Sequence, residues 1–184
     1  VIVKGGAVTC WGDDSHHQRG DSPYTYGHTQ STTAGVSGVI DLSAHLGDHT
    51  CAIVAGDAVC WGYDFEGQIG DGTTAYTKPP TSVLGGSNIK QISAGAISTC
   101  GVWTDGSVHC WGAGNFGILG DGTTAHAAPA IVPGLSNAVR VEVGWSHACA
   151  LLSDHSLWCW GDNASGELGD GTTTSRFTPA AVTF

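Results

Sequence analysis

Seven cysteines carry the first chemical possibility in this chain, because paired thiols can either close disulfides or hold a metal. Six of them fall into pairs: Cys51 with Cys60, Cys100 with Cys110, and Cys149 with Cys159. Each pair brackets one hairpin turn, Asp105-Gly106 in the second case. Its members should therefore face one another across adjacent strands, with Cβ atoms about 4.5–5.5 Å apart, slightly relaxed from disulfide spacing. Zinc is the competing occupant, although a spacing of nine or ten residues lacks the short CxxC knuckles that zinc sites use. Read as disulfides, the pairs place the chain outside the reducing cytosol: extracellular, on a cell surface or in a periplasm. Cys10 is left over. Its hairpin, Val1 to Cys10, overlays Gly101 to Cys110 position for position, so the expected partner falls immediately before Val1.

The other chemically capable cluster is Asp13-Asp14-Ser15-His16-His17, which puts carboxylates and imidazoles in one loop. Adjacent histidines diverge in an extended chain, and no second cluster completes a coordination sphere around Asp13, His16 and His17, so no metal is expected there. The repeated Asp-Gly-Thr turns invite a calcium reading, but they lack the dense oxygen set of a calcium loop. Asp bonding its own backbone and Gly at positive φ explain them as turns. His45, His49 and His147 recur at related places and read as polar packing groups rather than catalysts. Neither a nucleophile elbow, a phosphate loop nor an HExxH helix occurs, so no catalytic residue, cofactor or enzyme activity is expected. Asn163-Ala164-Ser165 fits a glycosylation sequon and is read as turn chemistry outside a eukaryotic source. The formal net charge is −10, and only six Lys and Arg are present, too few to neutralise a phosphate backbone or an anionic membrane surface. The sequence also lacks an apolar run long enough to span a bilayer as a helix.

What positions these residues is a repeat. Cys-Trp-Gly occurs at Cys10, Cys60, Cys110 and Cys159, at intervals of 50, 50 and 49 residues. Within the third copy, Asn88 to Gly95 is an extended segment. Ser98–Trp103 and Ser107–Gly112 flank the Asp-Gly turn, a loop runs through Gly117, and a last segment ends near Val132. Four short strands per unit, without helical periodicity, give an all-β fold of β-propeller blades, each a four-stranded antiparallel sheet. The expected repeats are approximately 1–36, 37–86, 87–135 and 136–184, or about 3.5–4 blades in one repeat domain. Such an arc is a segment of a longer chain, or part of a ring completed by another chain. Trp11, Trp61, Trp111 and Trp160 should pack between adjacent blades. The first repeat departs from the others: Arg19 occupies an expected core position, and Pro23-Tyr24-Thr25-Tyr26-Gly27-His28 is unique to it. Those departures suit a degenerate terminal blade or a specialised contact surface.

The run from Cys159 to Thr172, Cys-Trp-Gly-x-Asn-x-x-Gly-x-Leu-Gly-Asp-Gly-Thr, resembles the regulator of chromosome condensation repeat, and most closely its bacterial, cysteine-bearing branch. The resemblance covers essentially the whole chain. It implies a propeller, usually of seven blades, closed by strands shared between terminal repeats. Similar family members include a guanine-nucleotide exchange factor on chromatin and a secreted inhibitor of β-lactamases, both of which bind a protein on a propeller face. Fold does not imply function, and the nuclear role sits badly with hairpin disulfides in an acidic chain. The expected function is an extracellular, non-enzymatic protein-interaction scaffold. Its partner-binding residues would sit on the loops after Cys-Trp-Gly: Tyr63, Phe65, Asn115, Phe116, Asp162 and Asn163. Alternatives are a secreted enzyme inhibitor, a surface protein that self-assembles through open blade edges, and, more weakly, a carbohydrate binder.

Overall fold

Short strands buried on both faces, such as Ser98–Trp103 and Val108–Ala113, mark this fold. In the computed structural model, residues 2–4, 6–21, 30–33 and 35–183 are described. The unique stretch Pro23 to His28 lies outside them. The first sheet has three strands, β1 (Ile2–Lys4), β2 (Ala7–Cys10) and β3 (Ser31–Thr32). The second is β4 (Val39–Ser43), β5 (His49–Val54), β6 (Asp57–Asp64) and β7 (Ala75–Ser87). The third is β8 (Ile89–Ala94), β9 (Ser98–Trp103), β10 (Val108–Ala113) and β11 (Ala125–Ile131). The fourth is β12 (Ala138–Val143), β13 (His147–Leu152), β14 (Leu157–Gly161) and β15 (Arg176–Ala181). Every pairing is antiparallel between strands consecutive in sequence, so each sheet is a blade-like meander.

The hairpins fall in the expected register. Cys51 lies opposite Cys60, Cys100 opposite Cys110, and Cys149 opposite Cys159. All three pairs are disulfides with Cα atoms 4.1 Å apart, which settles the contest with zinc. Cys10 is free and buried.

The core is not inside the blades but between them. Because side chains alternate along a strand, Cys60 and Trp61 face opposite sides of their sheet. Cys51 and Cys60 pack with Ile89, Ile92, Ala94 and Trp111 of the third blade. Trp61 packs with Val8, Cys10 and Val36 of the first. The pattern repeats one blade on, where Cys100 and Cys110 share a cluster with Trp160. Trp61, Trp111 and Trp160 are fully buried. Trp11 departs from expectation: it is 43% exposed and lines a cleft with Ala44, Gly47 and Thr50 of the second blade.

Each buried indole also donates a hydrogen bond across the interface. Trp61 Nε1 reaches the Gln18 carbonyl at 2.9 Å, Trp111 Nε1 the Gln68 carbonyl at 2.9 Å, and Trp160 Nε1 the Ile118 carbonyl at 2.7 Å. The hydroxyls of Thr50 and Thr99 donate to the same Gln18 and Gln68 oxygens. The glycine two residues past each acceptor is required by contact and by conformation. A Cβ on Gly70 would sit 2.4 Å from the Trp111 indole nitrogen, and its φ is +80°.

The first strands of successive blades are stitched by side chains that stand in for a backbone ladder. Asp41 Oδ2 and Ser43 Oγ accept the Ile92 and Ala94 amides, and Gln91 both accepts the Val141 amide and donates to its carbonyl. Replacing Trp111 by Ala should cost about 3–5 kcal/mol in urea unfolding. Trp111→Phe, which keeps a ring but loses the donor, should cost about 1–2 kcal/mol, and Trp11→Ala less than about 1 kcal/mol. Equal losses at the two tryptophan positions would contradict the inter-blade role.

Candidate interaction face

Meander topology sends two connections of each four-stranded blade to the same end of the sheet: the link between its first and second strands, and the longer link between its third and fourth. The two links touch. The Tyr63 amide bonds the Asp48 carbonyl, the Ala113 amide that of Ile97, and the Asp162 amide that of Ser146. Together they form one loop face.

The long links are held by three recurring side-chain staples. Four residues after the cysteine, Asp14, Asp64 and Asn163 each accept the backbone amide five residues on, from Arg19, Ile69 and Leu168 at 3.0, 2.9 and 2.9 Å. Eight residues after the cysteine, the Gln18, Gln68 and Glu167 side chains accept the amides of His16, Glu66 and Ser165. Eleven residues after it, Asp71, Asp121 and Asp170 cap the Asp-Gly-Thr turn through the amide and hydroxyl of the following Thr. Each of these aspartates also takes a base from its blade's outermost strand: Lys78, His126 or Arg176. Lys78 reaches the buried Asp64 at 2.9 Å as well.

On this frame the expected partner-binding residues part company. Tyr63 and Phe65 stack at 6.4 Å on the second blade. Phe65 is 63% exposed, while Tyr63 is half-buried. Asn115 and Phe116 form a single turn of 3-10 helix in which Phe116 has φ +59°, a left-handed conformation costly for a bulky residue, and its ring is 57% exposed. Asp162 is half-buried and spends its carboxylate on the Ser175 and Ser146 hydroxyls and the Ala164 amide. Asn163 is a correction: it is fully buried and donates to Asp170, Thr172 and Thr174, so it shapes the loop and offers nothing to a partner.

The structure adds aromatic residues that the sequence reading passed over. Trp145, in the link between β12 and β13, is 70% exposed. It lines one cleft with Phe116, Ile97, Asn115 and Ile118. Tyr76 packs edge-on to Tyr63 at 5.8 Å, and His16 meets Tyr63 at 5.0 Å. The signal for Trp145 was available: it stands where the preceding copy has Ala96, and nothing about a turn calls for an indole. Asp13 and His16 do not converge on a metal. Both oxygens of Asp13 accept from Ser15, while His16 Nδ1 lies 3.3 Å from Asp48. Among the described residues, no group of three or more His, Cys, Asp or Glu could hold a metal ion.

Regulator of chromosome condensation repeats match residues 105–151 and 154–184, and a second description of the same repeat matches residues 138–167. Residues 105–184 carry these repeats. No curated protein matches it by sequence. In fold it is similar to the yeast regulator of chromosome condensation, Prp20, in the crystal structure bound to Kap60. The TM-score is 0.85 at 19% identity, over 97% of this chain and 45% of that one. A second Saccharomyces cerevisiae Prp20 structure, described with binding to Gsp1p and histones, gives 0.82 at 18% identity over 97% and 47%. Human WBSCR16 gives 0.60 at 20% identity over 98% and 63%. The chain thus spans less than half the length of the yeast propellers it matches. Those likenesses establish that its sheets are β-propeller blades.

One polar group behind the face has a consequence for stability. His49 is fully buried, donates to or accepts from Thr99 Oγ1 through Nε2 at 2.8 Å, and has no hydrogen-bond partner at Nδ1. Burial lowers its pKa from 6.5 to about 4. The unfolded chain therefore takes up this proton at a higher pH than the folded repeats do. Stability from this site is unchanged above pH 6.5 and falls as pH drops towards 4, by up to about 1.4 kcal/mol per pH unit. Urea unfolding of wild type and His49→Gln at several pH values between those limits should give a difference that shrinks as the pH falls. A pH-independent difference would show that His49 does not titrate as buried.

Proposed function

We propose that this chain is an extracellular, non-enzymatic scaffold that binds a protein partner through the loop face of its blades. The observation that carries the reading is Phe116, a large apolar side chain held exposed in a strained backbone, beside the exposed Trp145. Strain and solvent exposure of apolar surface are both unfavourable in the free protein, and a partner that buries the pair recovers the second. The Phe116 loop is already held by the Gly114–Thr124 and Gly117–Gly114 backbone bonds and the Asp121 turn, so it loses little further entropy on docking. Three hairpin disulfides support an oxidising compartment. A protein suits the face better than nucleic acid does, because Lys78, Arg176 and Arg19 are already engaged with carboxylates. The yeast propellers it resembles in fold are likewise described with protein partners.

The test is capture of a partner from the extracellular fraction of the source cells. Phe116→Ala combined with Trp145→Ala should weaken capture at least about tenfold, with a melting temperature within about two degrees of wild type. Capture that persists would remove this cleft from the interface.

Trp11 favours a second reading for the edge of the first blade. Its indole is the exposed counterpart of three that are buried against a preceding blade. The edge therefore suits a further blade, from the same polypeptide or from a second copy, in a ring of about seven. Sedimentation of the 18.7 kDa chain reports on the second source: a complex of two or more copies that is lost in Trp11→Ala supports it, and a monomer at all concentrations excludes it.

A further inference from the structure

The loop face holds a second feature on the other pair of blades, and its chemistry specifies what would bind there. Tyr63, Phe65, Tyr76 and His16 form one connected aromatic cluster spanning the first and second blades. Tyr63 stacks on Phe65, meets Tyr76 and His16 edge-on, and His16 leans on Tyr76 at 5.7 Å. Phe65 and Tyr76 are more than half exposed, so ring surface remains open to solvent beyond the contacts the cluster makes internally. Three carboxylates flank the cluster. Asp48, exposed, sits against His16, with Gln18 on its other oxygen, and Glu66 follows Phe65 in sequence. Asp13, exposed on the adjoining loop, is held below the usual carboxylate range by the Ser15 amide and hydroxyl and stays ionised.

What sets this patch apart is where the bases go. Lys78, the base nearest in sequence to Tyr76, is taken by Asp64 and Asp71, and Arg19 by Asp21. Among the described residues no Lys or Arg pairs with Asp13, Asp48 or Glu66. Open aromatic faces attract cations through the ring quadrupole, and uncompensated carboxylates beside them add to the same attraction. An anionic or purely apolar partner would leave those carboxylates either repelled or desolvated without a partner.

We propose that the His16–Tyr63–Phe65–Tyr76 cluster, with Asp48 and Glu66, is a docking platform for a lysine- or arginine-rich segment of a protein partner. This rests on the loop face being a protein-binding surface and names the chemistry of what it binds. An arginine suits the site best, since its planar guanidinium can lie on Phe65 or Tyr76 while donating to a carboxylate.

The probe is a short fluorescein-labelled peptide of alternating arginine and glycine, with glutamate–glycine and serine–glycine peptides as comparisons. Each is titrated with the whole chain at low and at physiological salt. The basic peptide should saturate, and the other two should not. Tyr76→Ala and Phe65→Ala should each weaken binding about two- to fivefold. The pair Asp48→Asn with Glu66→Gln should weaken it about three- to tenfold and flatten the salt dependence. The pair Asp105→Asn with Asp154→Asn removes the same charge from hairpin turns at the opposite end of the blades, and should change binding less than about twofold. Equal losses from the two charge pairs would mean non-specific attraction to an acidic protein and overturn the proposal, as would tighter binding of the glutamate peptide. Should Phe116→Ala with Trp145→Ala abolish partner capture while Tyr76→Ala leaves the basic peptide unaffected, the scaffold reading stands and the cationic platform falls. Should capture and peptide binding both ignore every variant on this face, both readings fall.

Discussion

A tryptophan indole set against the backbone of the preceding blade is the interaction on which this structure depends. The strand pleat puts Cys and Trp of each Cys-Trp-Gly on opposite sides of the sheet, so one tripeptide serves two interfaces. The disulfide side packs forward, and the indole packs backward and donates to a carbonyl on the preceding blade's long loop. A blade therefore has no complete core of its own. Its stability is a nearest-neighbour property, as in other repeat architectures, and Trp61, Trp111 and Trp160 are each fully buried where two blades meet.

This arrangement separates what must repeat from what can vary. The acceptor carbonyl sits on the long loop, which the second and fourth blades brace with all three side-chain staples and the third with the Asp121 turn and backbone bonds. The positions between the staples are free of structural duty. In the second blade they carry Phe65 and Glu66; the third has Gly114 and Ile118 at the two staple positions and carries Asn115 and Phe116 between them on a 3-10 turn. Recognition can then change from blade to blade without touching the inter-blade contact. The loop face accordingly presents two different surfaces: an apolar cleft around Phe116 and Trp145, and an aromatic cluster rimmed by carboxylates around Tyr63.

The hairpins and disulfides were legible in the sequence because their determinants are local. A tight turn, at Ala55-Gly56, Asp105-Gly106 or Asp154-His155, fixes the register, and register fixes which cysteines meet. The role of Trp61, Trp111 and Trp160 was half legible: size and recurrence indicated an inter-blade ring, but the hydrogen-bond acceptor is a main-chain oxygen that no residue type announces. Asn163 misled for a related reason. A polar residue on a variable loop looks like a contact, yet its partners are the Thr172 and Thr174 carbonyls, the Asp170 carboxylate and the Leu168 amide, brought near only by the turn. Trp145 was overlooked because attention fell on the loops after Cys-Trp-Gly, while the shorter links between first and second strands share the same face.

Exchange of the indole N–H protons with deuterium, followed residue by residue in an NMR spectrum of the oxidised chain, tests this dependence most directly. The account predicts that Trp61, Trp111 and Trp160 exchange only as slowly as the whole protein opens, while Trp11 and Trp145 exchange at once. Fast exchange at all five would mean that the blades are not held together by these tryptophans.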